Sequence, residues 1–142
     1  MIPNIDVLTT PIDEVNHPTR TYKIVRIGST DSKMPVYYNR INGYTDDLNA
    51  IKQSIYFILG TERYRFQIYS WDYGVELFDL FGKPIPFVIS EIPRRIREAL
   101  LTDDRISDIN EFSFEKNGNK LNVSFIVETI HGQIPTELEV MV

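Results

Sequence analysis

The sequence predicts an α+β fold: two main helices packed on a mostly antiparallel sheet that ends in a C-terminal β-meander. Two observations carry this. Leu48, Ile51, Ile55, Ile58 and Leu59 recur at helical spacing, as do Ile85, Ile89, Ile92, Ile96 and Leu100. The last third of the chain reads instead as strands, divided by Asn117-Gly118, a dipeptide favoured in two-residue hairpin turns.

In chain order, residues 1–19 carry Pro3, Pro11 and Pro18 among polar neighbours, cannot pair regularly, and read as an extended arm before a single domain over 20–142. Arg20 to Arg26 has strand composition, and Gly28 to Asp31 is turn-like. Thr45 is placed to cap the first helix, Asp46 and Asp47 suit its positive end, and Gly60 supplies a stop. Tyr64, Phe66 and Ile68 alternate with Arg65, Gln67 and Tyr69, the pattern of a strand, which Asp72-Tyr73-Gly74 ends. Val75 to Phe81 fits one short helical turn. The second helix pattern spans Pro84 to Leu101, where Pro93 either kinks the helix or, if the helix starts at Ser90, sits in its first turn. Asp108 to Glu115, Leu121 to Ile130 and Glu137 to Val142 form the meander.

Composition narrows the functional classes. The 142 residues include 8 Tyr, 8 Phe and 1 Trp, enough bulky side chains for a core of their own. A net charge of −5 and a pI near 5.0 argue against a nucleic-acid or anionic-membrane footprint and for protein partners. The absence of cysteine excludes disulfides, Cys-ligated zinc and thiol nucleophiles, and suits a chain that stays in a reducing cytosol. The first residues lack a signal-peptide pattern, and no stretch reaches the roughly 20 apolar residues of a membrane span.

Catalytic signals are weak. Glu62, Asp72 and Glu76 are close enough in sequence to be considered as an acid pair, but ordinary surface charge is the better reading. His17 and His131 lack ligand spacing, and Gly82-Lys83 is followed by Pro84 where a phosphate loop requires Ser or Thr, so neither metal nor cofactor is expected. Arg94, Arg95 and Arg97 flank an apolar helix face and suit solvent or an acidic protein partner.

Four segments carry a family resemblance: Ala50-Ile51-Lys52-Gln53-Ser54-Ile55-Tyr56, Gly60-Thr61-Glu62-Arg63-Tyr64, Tyr69-Ser70-Trp71-Asp72-Tyr73-Gly74 and Ile96-Arg97-Glu98-Ala99-Leu100-Leu101. They resemble the XkdS-like proteins of defective prophages and phage-tail-like bacteriocins, which are similar to the small baseplate wedge proteins of contractile tails and type VI secretion. The resemblance runs from about Thr21 to the C-terminus. It implies a non-enzymatic wedge subunit, present in several copies around the tail axis, that joins the baseplate ring to the first sheath layer and nucleates sheath assembly. Its implied partners are other wedge subunits, the sheath protein, and hub or tube proteins. Family members carry Glu-Pro-Arg after the second long helix to engage neighbouring wedge subunits. The matching positions are Asp103, Asp104 and Arg105, of which only the Arg is identical. Arg105 is the expected anchor, because a guanidinium offers several fixed donors to an acidic partner. Glu62, Arg63, Trp71 and Asp72 are further contact candidates, although core packing explains the aromatic residues equally well. Glu137, Leu138, Glu139, Val140 and Met141 form the candidate sheath-facing edge strand.

Two other readings make different demands. A tail-associated peptidoglycan hydrolase would use Glu62 and Asp72, but the aromatics fall at core-like periodicities rather than as sugar platforms. An assembly adaptor would be absent from the finished particle.

Overall fold

A computed structural model of the chain describes residues 20–27 and 38–142, so the proline-rich arm and the Gly28 to Asp31 turn lie outside the described residues. The elements run β1 (Thr21–Ile27), β2 (Tyr38–Thr45), α1 (Asp47–Gly60), a 3-10 turn (Phe78–Leu80), α2 (Ile85–Leu100), β3 (Ile106–Asn117), β4 (Lys120–Thr129) and β5 (Gly132–Met141). β1 and β2 pair antiparallel as a separate two-stranded sheet, and β3-β4-β5 is an antiparallel meander. The α+β class and the two-helix layout therefore hold.

The core lies between the helices and one face of the meander. Ile51, Ile55 and Ile58 of α1 and Val88, Ile92, Ile96 and Leu100 of α2 are buried with Ile109, Val123, Phe125, Val127 and Ile134 of the sheet. α1 lies beside β5, and α2 beside β3. Burial explains why α2 runs unbroken through Pro93 from Ile85. Its four large buried side chains contribute about 1.5–3 kcal/mol each, against roughly 3 kcal/mol for an interior proline. The start at Ser90 is thus excluded, and Pro84 and Pro86 occupy the helix entry, where missing donors are tolerated.

Several local expectations need correction. Asp46, not Thr45, caps α1: its carboxylate accepts from the Asp47 N–H at 2.8 Å. Gly60 is the last residue of the helix, and the extended Thr61 closes it, with its hydroxyl bonded to the Phe57 carbonyl at 2.8 Å. The hairpin turn is Gly118-Asn119, flanked by the Asn117–Lys120 pair, with the glycine at positive φ in the first turn position. The helical turn expected over Val75 to Phe81 shrinks to Phe78–Leu80.

The largest correction is the strand expected over Tyr64 to Tyr69. That segment is a chain of turns, closed by bonds from Arg65 N–H to the Glu62 carbonyl (3.4 Å) and from Tyr69 N–H to the Phe66 carbonyl (3.3 Å). Alternation needs a neighbouring strand to become a ladder, and no strand among the described residues pairs with this segment. Its bulky side chains accordingly lie outside: Tyr64 is 62% and Ile68 85% exposed, as is Trp71 just beyond it at 83%. β2 was not anticipated, because its sequence Tyr-Asn-Arg-Ile-Asn-Gly-Tyr-Thr carries little apolar alternation. Its partner β1 is held to α1 by Gln53, whose side-chain amide accepts from Ile24 N–H (3.0 Å) and donates to the Tyr22 carbonyl (2.8 Å).

The turn-rich loop closes through Gly74, which has φ +98° and would place a Cβ 2.6 Å from the Thr61 carbonyl oxygen. Gly74→Ala is expected to destabilise the fold by roughly 2–3 kcal/mol through combined φ strain and backbone displacement. Gly82→Ala, with φ +76° but open space around it, should cost about 1 kcal/mol. Urea denaturation of both variants checks this ordering.

Candidate functional site

The residues singled out by sequence fall into three places on the structure. The first is the root of the 61–78 loop. Glu62 and Val75 form a parallel bridge, with Arg63 N–H donating to the Val75 carbonyl (3.1 Å) and Val75 N–H to the Thr61 carbonyl (3.0 Å). The Glu62 carboxylate accepts from the backbone N–H groups of Leu77 and Phe78, each at 3.1 Å, and so caps the 3-10 turn. Arg63 is the one buried charged side chain among the described residues. Its Nε donates to the Gly74 carbonyl (3.2 Å) and its Nη1 to Glu98 Oε1 of α2 (3.0 Å). A buried guanidinium is expensive unless its donors are satisfied, and these bonds satisfy it while tying the loop to α2.

Glu62 and Arg63 are therefore internal fasteners, whereas Trp71 and Asp72 are exposed at the far side of the loop. As an acid pair Glu62 and Asp72 are poorly equipped. Backbone donors hold the Glu62 carboxylate, and a hydrogen bond from Ser70 holds the exposed Asp72 carboxyl below its ordinary range, the reverse of what a proton donor at neutral pH needs.

The second place is the connection after α2. Arg105 forms a two-pronged pair with Asp103, Nε to Oδ1 at 2.9 Å and Nη2 to Oδ2 at 2.6 Å. Arg105 N–H also bonds Asp103 Oδ1 (3.1 Å), and the Ser54 hydroxyl of α1 donates to Oδ2 (3.1 Å). The backbone carbonyl of Arg105 accepts from Ile130 N–H in the β4-β5 turn (3.1 Å). Arg105 thus joins helix end, α1 and sheet, and its strongest donors are already engaged inside the chain. Asp104 between them is exposed. All three residues line a groove of about 780 Å³ that also takes in Tyr22 and Ile24 of β1 and Gln53 of α1.

Burial pushes the Asp103 carboxyl up, but the hydrogen bonds and charge of Arg105 outweigh it, so the group sits below its ordinary range. The same bond raises Arg105. A depressed carboxylate contributes stability above its unfolded value of about 3.9, and this is lost as pH falls through the lower folded value. Asp103→Asn should therefore be less stable than the unaltered chain at pH 7, with the gap closing below about pH 4. Urea denaturation across that range checks the sign.

The third place is β5, an edge strand of the meander. Val142 N–H donates to the Asn119 carbonyl, which directs the backbone of even-numbered residues toward β4 and that of odd-numbered residues outward. Pro135, which has no N–H to donate, fits an outward position. The outward backbone groups beyond it, which have no partner among the described residues, belong to Glu137, Glu139 and Met141. The opposite edge differs. β3 is broken by two register shifts, one containing Glu111 at φ +56°, and Arg97 Nε of α2 covers the Ile109 carbonyl at 2.9 Å. Bulges and covering side chains blunt an edge, while β5 keeps an unbroken ten-residue register and no strand among the described residues pairs with its outward side.

The α2 arginines are also spoken for. Arg94 pairs with Glu91 and Glu98, Arg95 with Asp79 and Glu91, and Arg97 lies over the Phe112 ring as well as bonding Ile109. Among the described residues no cluster of His, Asp or Glu is arranged to hold a metal ion, and no helix is long and apolar enough to cross a membrane.

Comparison with known proteins gives this geometry a setting. The chain is 45% identical over 93 residues to the phage-like element PBSX protein XkdS of Bacillus subtilis strain 168. That match covers 63% of this chain and 66% of the relative, just under two thirds of its length. Residues 26–132, spanning both helices and most of the sheet, match the family described as contractile injection system sheath initiator. The chain belongs to the contractile injection system sheath initiator family.

Proposed function

We propose that this protein is a baseplate wedge component that starts sheath assembly by accepting an extended segment of a sheath subunit along β5. The observation that carries the reading is the asymmetry of the meander: one edge is bulged and covered, the other straight and, among the described residues, unpaired. An open edge offers backbone donors and acceptors at fixed spacing, so strand addition supplies affinity without a pre-formed pocket. Polymerisation of a sheath needs a first template of this kind. The two helices support the template from one side, which leaves its edge geometry fixed before a partner arrives.

The connection after α2, beside the β4-β5 turn, supplies the link to the baseplate ring. Asp104 and the groove beside Asp103 and Arg105 provide a surface for a neighbouring wedge subunit, with Arg105 acting by shaping the connection rather than as a free anchor. Trp71 and Asp72, exposed on the 61–78 loop, offer a further contact. Assembly would take place in the host cytoplasm, and the protein would remain in the baseplate of the finished particle.

Glu139→Pro tests the reading without removing a β4 ladder bond, because the N–H it removes points outward and the ion pair to Lys120 that goes with it is an exposed one. The variant is expected to fold, to enter the baseplate and to leave it unsheathed, as seen by negative-stain microscopy and mass spectrometry of purified particles. Normal sheath length on particles containing the variant would refute strand addition at β5.

A further inference from the structure

The register of the meander also says which kind of strand the open edge would accept. This inference rests on the edge-docking reading above. On the outer face of the sheet, Ser113, Ser124 and Glu137 form one cross-strand row, and Glu115, Asn122 and Glu139 form the next. Both rows end at the edge in a glutamate. Lys120 sits within reach of Glu139 at 2.7 Å, but Glu137 has no ion-pair or hydrogen-bond partner among the described residues. Side chains directly opposite on neighbouring strands interact, and like charges there are unfavourable. The next position in the Glu137 row therefore favours a cation.

The inner face makes the complementary demand. Leu138 ends the row Phe114, Val123, Leu138 and is only half-buried. Beside it, between α1 and β5, lies a groove of about 440 Å³ lined by Ile55, Tyr56 and Leu59. A strand laid along β5 would point alternate side chains into this groove, where apolar groups complete the burial of Leu138. We infer that the β5 edge selects an extended segment in which apolar and basic residues alternate, the apolar ones facing the α1 groove and a Lys or Arg facing Glu137.

Three end-capped octapeptides test this against the full-length chain: alternating Val-Lys, alternating Val-Ser and alternating Val-Glu. Titrations in about 50 mM salt, where screening is limited, would be followed by amide shifts and hydrogen exchange at Glu137, Glu139 and Met141. Val-Lys is expected to bind roughly fivefold more tightly than Val-Glu, with Val-Ser between. It should also protect those three amides. Glu137→Lys, a change at an exposed side chain, should reverse the order. Equal binding of all three peptides, with the amides protected, would overturn charge selection and leave edge docking standing. Protection by none of them would overturn edge docking itself. Val-Lys binding that leaves the three amides unprotected would reduce the effect to general attraction by an acidic chain and overturn the inference.

Discussion

Ile109, Val123, Phe125, Val127, Ile134 and Val140 line one face of the β3-β4-β5 meander, and keeping that face dry is the constraint from which the remaining features follow. Both helices cover it from the same side, so the other face stays open to solvent and the edges lie at the domain surface. A sheet of three strands has two edges to manage. Here α2 and the bulges manage one, while α1 flanks the other without sealing it.

The same constraint explains the internal fasteners. α1 and α2 are joined by a long, turn-rich loop, and such a loop holds its shape only if its backbone groups find partners. Glu62, Arg63 and Gly74 supply them at the loop root. At the other end of α2, the Asp103–Arg105 pair joins the helix to the first meander strand, with Ser54 bringing in α1. The first cluster ties the loop to α2, and the second ties both helices to the sheet. An assembly template requires that rigidity, since ordering a loose edge on binding would consume part of the interaction energy.

Much of this was legible in the sequence because it is periodic. The α1 and α2 stripes and the meander show directly as 3.6- and 2-residue patterns. Pro93 was ambiguous since its tolerance depends on burial of Val88, Ile92 and Ile96 against a sheet that lies later in the chain. The Tyr64 to Ile68 alternation misled because a strand exists only with a neighbour, and neighbours are set by tertiary structure. β2 was missed for the converse reason: a polar hairpin strand has a partner but little pattern. The candidate site was less legible than the fold. Sequence marked Glu62, Arg63 and Arg105 as candidate partner contacts, whereas their internal bonds to Leu77, Gly74 and Asp103 are not revealed by spacing alone. That β5 is the open edge depends in turn on the strand order and on the bulges of β3.

The central claim is that a foreign strand continues the meander beyond β5. Cryo-electron microscopy of the purified extended particle at side-chain resolution tests it most directly. The account predicts a segment of the first sheath layer running alongside β5, hydrogen-bonded to the backbone of Glu137, Glu139 and Met141. A baseplate in which this edge faces solvent, with the sheath seated on another surface of the chain, would contradict it.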